Sequence, residues 1–334
     1  MRQKLSRRRF IGISAAASGM ALLPIGSRAR AEAQLFTWSG TVLGASATLQ
    51  IHHYDRVTAK RVIERSVREA ERLERLFSLY RRDSALVTLN RQGFVIAPEP
   101  GFVDLLAECR RVNTMTDGAF DPTVQPLWAL YAEHFSRPGA SDAGPEANSV
   151  EAALQCVGMR HVLISRDRIA FARRGMALTL NGIAQGYLTD RVVAILRSEG
   201  IDHSLVDMGE SRALGTRPDG RPWTVSILDP DRSIAAGDSF ALVDQAVATS
   251  SAYGFQFDGR GRFNHLFDPR TGVCANRYQS VTVVMPTATA ADAFATAFSL
   301  MPVWHIENAL KSVQVGTVHV TGCDGRRTTL STDA

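Results

Sequence analysis

Five alanines, Ala290, Ala291, Ala293, Ala295 and Ala297, crowd one stretch near the C-terminal end of this 334-residue chain. Alanine is the best helix former and carries no bulk beyond its Cβ, so the stretch predicts a small-sided helix that a second backbone can approach closely. Asp292 is the only charge in it, and a carboxylate in such close quarters is costly unless a cation pairs with it. Thr296 follows four residues later. That spacing sets carboxylate and hydroxyl on one helix face, a donor pair suited to a hard divalent cation such as Mg2+, which in turn favours phosphate. An isolated Asp/Thr pair at this spacing is more often a solvated face or a local hydrogen bond, so the pair counts only with its surroundings.

Those surroundings carry chemistry. Asn264-His265-Leu266-Phe267-Asp268-Pro269-Arg270-Thr271-Gly272 supplies an imidazole, a carboxylate and a guanidinium on a turn braced by proline and glycine. These are the groups that a phosphate-bearing ligand and a proton transfer require. A lone histidine is more often structural, and His265 gains weight only from Asp268 and Arg270 beside it.

Periodicity elsewhere mixes helix and strand. Phe36 to Ile51 alternates as strand does, around Gly40 and Gly44, and Thr58 to Phe77 is an amphipathic helix with Ile63, Val67, Ala70, Leu73 and Phe77 inward. A second helix is expected from about Gly101 to Met115. Ser136 to Ser149, rich in Pro, Gly, Ala and Ser, is expected to be a mobile surface loop. A short helix near Val150 to Val157 precedes a hairpin over His161 to Ala172, and a further helix runs from about Gly186 to Ser198, closed by Gly200. Strands are expected at His203 to Met208, Trp223 to Leu228, Ser280 to Met285 and Gly316 to Val320. Without a strict βαβ rhythm the pattern favours an α+β fold over a doubly wound sheet, with residues 32–334 forming one domain.

Residues 1–31 stand apart. Arg7-Arg8-Arg9-Phe10 gives twin arginines, Ile13 to Ile25 is a modest apolar region, and Ala29-Arg30-Ala31 is a small-x-small cleavage site, so the segment reads as a Tat export signal and the mature chain is expected in the periplasm. The segment holds seven basic residues and no acid, so the remainder carries 31 basic against 33 acidic residues. No nucleic-acid footprint survives that subtraction. Cys109, Cys156, Cys274 and Cys323 are scattered, which argues against a metal cage or a disulfide framework.

Several shorter phrases are each ambiguous. Phe77-Ser78-Leu79-Tyr80 followed by Asp83 and Ser84 reads as a helix end with a cap for the next turn. Thr116-Asp117-Gly118-Ala119-Phe120-Asp121-Pro122-Thr123 is explained by turn chemistry alone. Leu180-Asn181-Gly182-Ile183-Ala184-Gln185-Gly186-Tyr187 sets glycines before a helix, where amides receive phosphate oxygens, yet it has neither a Walker lysine nor the three-glycine Rossmann spacing. Met208-Gly209-Glu210 reads as a sharp turn after a strand, and Ala248 to Tyr253 as a hydroxyl-bearing edge strand.

The ordered set is more specific than any member. Over roughly residues 36–320 these phrases, with His-x-x-Asp-Pro-x-Thr-Gly and Ala-Asp-Ala-x-Ala-Thr-Ala, resemble the ApbE family of FAD:protein FMN transferases. The leader and the phrase Thr179 to Tyr187 look more like its NosX-type subgroup, linked to maturation of nitrous oxide reductase. The resemblance implies mixed sheets with packed helices, a ligand in a cleft between two lobes, and Mg2+-dependent transfer of the FMN half of FAD to a Thr or Ser hydroxyl of another protein, releasing AMP. It implies Asp292, Thr296 and the Ala184 carbonyl as metal ligands, with His265 in catalysis and Asp268 assisting. It also sets Tyr80, Asp117, Thr123, Gln185, Glu210 and Arg270 along the dinucleotide. A NosR-like membrane flavoprotein with a periplasmic domain is the implied acceptor. Two other uses of such a site stand beside transfer: a non-catalytic FAD-binding assembly factor, and an FAD pyrophosphatase in which water replaces the threonine. Where the family commonly has Asp-Leu-Gly-Gly-Ile-Ala-Lys-Gly, this chain has Thr179-Leu180-Asn181-Gly182-Ile183-Ala184-Gln185-Gly186, so an acid and a lysine are replaced together, as in a compensated swap. The family's double glycine before an acid is Met208-Gly209 here.

Overall fold

The computed structural model describes residues 33–227, 238–313 and 316–332. The expected export signal and Leu228, the last residue of one expected strand, lie outside them. A hairpin opens the described chain, β1 (Gln34–Val42) and β2 (Ala45–His53), turned by Leu43 and Gly44 at φ 49° and 79°. Both central residues of such a two-residue turn need positive φ, which Gly44 adopts at no cost and Leu43 only under strain. Asp55 then caps α1 (Arg56–Phe77), its carboxylate accepting the Val57 and Thr58 N–H groups. Ser84 caps α2 (Ala85–Gln92) in the same way, through the Val87 N–H.

Next come β3 (Phe94–Ile96), α3 (Pro100–Met115), α4 (Gln125–Ser136), α5 (Ala147–Leu154), β4 (Val162–Ile164) and β5 (Arg168–Phe171). They are followed by α6 (Ala184–Ser198), β6 (Ser204–Asp207), β7 (Ser211–Leu214), β8 (Trp223–Ile227), β9 (Asp238–Leu242) and β10 (Ala246–Ser251). The chain continues through β11 (Tyr278–Met285), α7 (Ala288–Phe298), α8 (Val303–Val313), β12 (Thr317–Gly322) and β13 (Arg327–Ser331). Eight strands form one sheet in the order β1-β2-β6-β7-β10-β11-β12-β13, beside a three-stranded sheet β3-β5-β4 and the hairpin β8-β9. The expected α+β class, with helices packed on sheets, is what the chain builds, and every strand pairing among the described residues is antiparallel.

Side chains divide the large sheet into two faces with the period of two that a pleated strand imposes. Val206 joins the main core with Leu73, Phe77, Leu105, Leu188, Phe294 and Phe298, whereas its neighbour Leu205 packs with Trp223, Val225 and Leu242 on the other side. Burying each of those large apolar side chains contributes ~2 kcal/mol. A third cluster, Leu127, Tyr131, Phe257, Phe263 and Phe267, lies beneath the His265 loop and fixes it from below.

One expectation is corrected. The hydroxyl run Thr249-Ser250-Ser251 sits in β10, an interior strand between β7 and β11. Its register with β7 covers only Ala246 and Val247, so the hydroxyl end projects past β7 while still paired with β11. The run has the polarity of an edge because one of its two neighbours stops short.

Candidate functional site

The helix α7 does what its alanines permit. Gly186, in the first turn of α6, comes so near that a Cβ there would sit 2.2 Å from the Ala288 carbonyl oxygen and 2.9 Å from the Asp292 Cβ. A Cβ on Gly182 would sit 2.7 Å from the Thr296 Oγ1. The Gly186 N–H donates to the Asp292 carboxylate at 3.1 Å, and the N–H groups of Ala288 and Thr289 donate to Asp190. The two segments therefore run antiparallel in steps of four residues: 182 faces 296, 186 faces 292, and 190 faces 288. Four residues is one helical turn, so each step brings the same two faces back together. Ala184 opens α6 between the first two of these rungs.

Gly186→Ala would drive a methyl group into backbone, which cannot yield as a side-chain tip can. We expect it to cost about 3 kcal/mol by overpacking, read as a lowered urea midpoint together with loss of activity.

Asp292 is 5% exposed. Its carboxylate and the Thr296 hydroxyl are hard oxygen donors on one face. The Ser250 Oγ lies 3.4 Å from the Thr296 Oγ1 and extends the oxygen lining from β10, a neighbour that sequence spacing did not reveal. No group of three or more His, Cys, Asp or Glu side chains is disposed to hold a metal among the described residues. A cation in this corner would meet the Asp292 carboxylate and the Thr296 hydroxyl and complete its shell with backbone, water and ligand oxygens, as Mg2+ commonly does, the Ala184 carbonyl at the start of α6 being the backbone donor the resemblance implies. The residues present fit that ion.

His265 is half-buried in the loop after β10. Its Nδ1 lies 3.2 Å from the Phe255 carbonyl oxygen, and a Cβ on Gly254 would sit 3.2 Å from its Cε1. A carbonyl only accepts, so in the neutral ring this pairing assigns the proton to Nδ1 and makes Nε2 the basic nitrogen. Asp268 follows three residues on. It accepts the Arg270 N–H at 2.8 Å, while its backbone N–H and C=O bond Val273 and Gly272. Asp268 thereby braces the turn that carries His265.

Gln185 packs against the β6–β7 turn that carries Glu210. The Gln185 amide packs on Gly209, whose φ of 107° and 2.6 Å clearance to the Gln185 Cδ admit only glycine. Gln185 is 8% exposed and its Nε2 has no hydrogen-bond partner. Such a buried orphan donor costs ~1–3 kcal/mol, a cost that a ligand acceptor would remove. The Glu210 carbonyl accepts the Thr189 hydroxyl at 2.9 Å. Arg270 reaches Asp117, donating to its carbonyl at 3.0 Å with the carboxylate 3.6 Å away, both at the surface. Tyr80 stands out from the protein, 68% exposed. Thr123 is fully buried, and its hydroxyl donates to Asp121 at 2.5 Å and accepts from the Gly158 N–H at 2.6 Å, a structural knot of the turn chemistry its sequence suggests.

Asp207, at the end of β6, accepts the Gly209 N–H at 2.9 Å and the Ser211 hydroxyl at 2.7 Å. Burial nevertheless pushes its carboxyl above the ordinary 3.8, because desolvation outweighs those two bonds. A carboxyl whose folded pKa exceeds its unfolded one favours folding below the unfolded pKa and loses that advantage as pH rises through the folded value. Asparagine keeps the shape, can accept from Gly209 and donate to Ser211, and never charges. Asp207→Asn is therefore expected to have a higher urea midpoint than the unsubstituted chain at pH 7, with the gap closing as pH falls toward 4.

Comparison with known proteins gives one consistent picture. The model of the ApbE family matches residues 43–319. The FAD:protein FMN transferase of Vibrio cholerae serotype O1 is 29% identical over 274 residues, spanning 79% of this chain and 80% of its own length. That of Treponema pallidum is 34% identical over 251 residues, spanning 67% of each. Among solved structures, the flavin transferase ApbE from Vibrio cholerae aligns with a TM-score of 0.75 at 28% identity, covering 90% of this chain and 97% of that one. The apo flavinyl transferase ApbE of Pseudomonas stutzeri aligns with a TM-score of 0.75 at 26% identity, covering 91% and 96%.

Proposed function

The chain belongs to the ApbE family and is an FAD:protein FMN transferase, and on that premise we propose that the α6–α7 corner is its Mg2+ site, that His265 moves the proton, and that the acceptor is a Thr or Ser hydroxyl. The observation that carries the reading is the buried Asp292 carboxylate, one helical turn from the Thr296 hydroxyl and held by the Gly186 N–H. When bound, Mg2+ would neutralise charge that builds on the pyrophosphate oxygens as the bond breaks.

The chain's own residues supply the rest. The glycines at 182 and 186 let α7 close onto the start of α6 and bring Asp292 and Thr296 beside that helix end, which favours negative charge. The Gln185 amide donates to a ligand oxygen. His265 accepts the hydroxyl proton at Nε2 while the Phe255 carbonyl holds its ring. The hydroxyl oxygen bonds to the flavin-side phosphorus, the bond from that phosphorus to the bridging oxygen breaks, and AMP leaves with that oxygen.

The export signal read in residues 1–31 supports a periplasmic site of action, and the likeness of the Thr179 to Tyr187 phrase to the NosX-type subgroup supports a NosR-like acceptor in nitrous oxide reductase maturation. The test is to incubate the mature protein with FAD, Mg2+ and a periplasmic domain of such an acceptor, then follow fluorescence on a denaturing gel and nucleotide release. Covalent label with stoichiometric AMP supports the reading. Free FMN and AMP without label would replace it with hydrolysis.

A further inference from the structure

Beyond the corner itself, the third rung of the α6–α7 contact ends in a carboxylate that touches no candidate ligand residue. Asp190 lies one turn beyond Gly186 on α6. One of its oxygens accepts the Ala288 N–H at 2.9 Å and pairs with Arg212, and the other accepts the Thr289 N–H at 2.9 Å and the Thr289 hydroxyl at 2.5 Å. Both members of the ion pair are largely buried, and Arg212 stands in β7 with Val206 and Ala246 across from it, in the middle of the large sheet.

A helix begins with four N–H groups that have no partner within it. In α7 those of Ala288 and Thr289 go to Asp190 and that of Ala290 to the Thr287 side chain at 3.3 Å, before the Ala291 N–H makes the first helical bond, to the Thr287 carbonyl at 3.1 Å. Two of these three N–H groups are thus capped from another helix. A local cap stabilises a helix wherever the helix lies, whereas a cap supplied from α6 also fixes where α7 lies along α6. The dipole of α7 adds to the hold, since a carboxylate at a helix N-terminus is favourable.

We propose that Asp190 is a positioning residue for the cation corner: with Arg212 tying it to the sheet, it sets the axial register of α7 on α6 and so places Asp292 and Thr296 against Gly186 and Gly182. The proposal rests on the Mg2+ reading above. A slip of one residue shifts a helix by ~1.5 Å along its axis. Mg2+ demands near-ideal octahedral geometry at about 2.0–2.1 Å, so displacement well short of that slip would weaken its binding. Asp190 acts on the metal through helix position alone.

The test uses mature protein loaded with FAD and no acceptor, titrated with Mg2+ by calorimetry. Asp190→Asn keeps the size of the side chain but turns an amide toward N–H donors. It is expected to raise the half-saturating Mg2+ concentration about tenfold, the usual scale for losing a group that orients a metal ligand. FAD affinity without metal should stay nearly unchanged, and turnover should recover toward the unsubstituted kcat as Mg2+ is raised. Thr289→Val removes one donor to the same carboxylate and should move the Mg2+ midpoint the same way by less. It decides the matter alone if Asp190→Asn does not fold. A lowered melting temperature with an unmoved Mg2+ midpoint would make the clamp purely structural and overturn the inference. Asp292→Ala runs in parallel: if it also leaves the midpoint unmoved, the Mg2+ assignment has failed, which is a distinct result.

Discussion

Asp292→Ala is expected to leave a folded protein that no longer transfers flavin. The substitution removes the Asp292 carboxylate and deletes the acceptor of the Gly186 N–H, while alanine suits the helix around it. Two opposing effects set the outcome for stability. Loss of a buried carboxylate relieves desolvation, and the orphaned Gly186 N–H costs ~1–3 kcal/mol, so the net change should be small. The effect on chemistry should be large. Without the carboxylate the proposed Mg2+ site loses its anionic ligand, and with the cation goes the counter-charge for a breaking pyrophosphate, so a fall in kcat/KM on the order of 10³-fold, about 4 kcal/mol of barrier, is the expected scale. The measurement is covalent label after denaturation across an Mg2+ series. Undiminished labelling by the variant at low Mg2+ would refute the ligand assignment, whatever the fold does.

That corner was half legible in the sequence, and the division is physical. Helical spacing within one element is local, so Asp292 and Thr296 were found together, as were the glycines before α6. Their mutual contact joins residues 106 positions apart, and nothing in a single sequence pairs two such faces. Asp190 escaped for the same reason. It reads as one more acid in a helix beside Arg191, and its only sequence signal is the step of four from Gly186. That step becomes meaningful once 288, 292 and 296 are known to face it.

Other misses have their own causes. The helix α4 bears Leu127, Trp128, Tyr131 and Phe135, which the aromatic cluster and the His265 loop surround on several sides, so no clean polar face marks its period. The helix α2 is eight residues long, too short for periodicity to separate it from a turn. Its cap was visible, since Ser84 was one of two residues named for that role. In the hairpin over Val162 to Phe171 the alternation was sufficient because the strand period is strict and its turn is local. What the sequence conveyed best was therefore short-range: caps, periods and turns. The relations that make a site out of them came from packing.

His265 provides the sharpest separation of binding from chemistry. His265→Gln keeps a side chain that can still hydrogen-bond near Phe255 and Gly254, yet it holds no basic nitrogen at the Nε2 position. Removing a positioned general base costs roughly 10² to 10⁴-fold in rate. The expected pattern is a fall of that size in kcat with little change in FAD affinity, because His265 sits on a loop braced by Asp268 and Phe267 and is assigned the acceptor's proton, not a ligand oxygen. Single-turnover labelling measures the chemical step, and equilibrium titration of FAD measures binding. If both parameters fall together, His265 is holding substrate, and the proton must go elsewhere. If only the chemical step falls, the Nδ1 contact to the Phe255 carbonyl explains why: it fixes the tautomer that leaves Nε2 ready for the acceptor's proton.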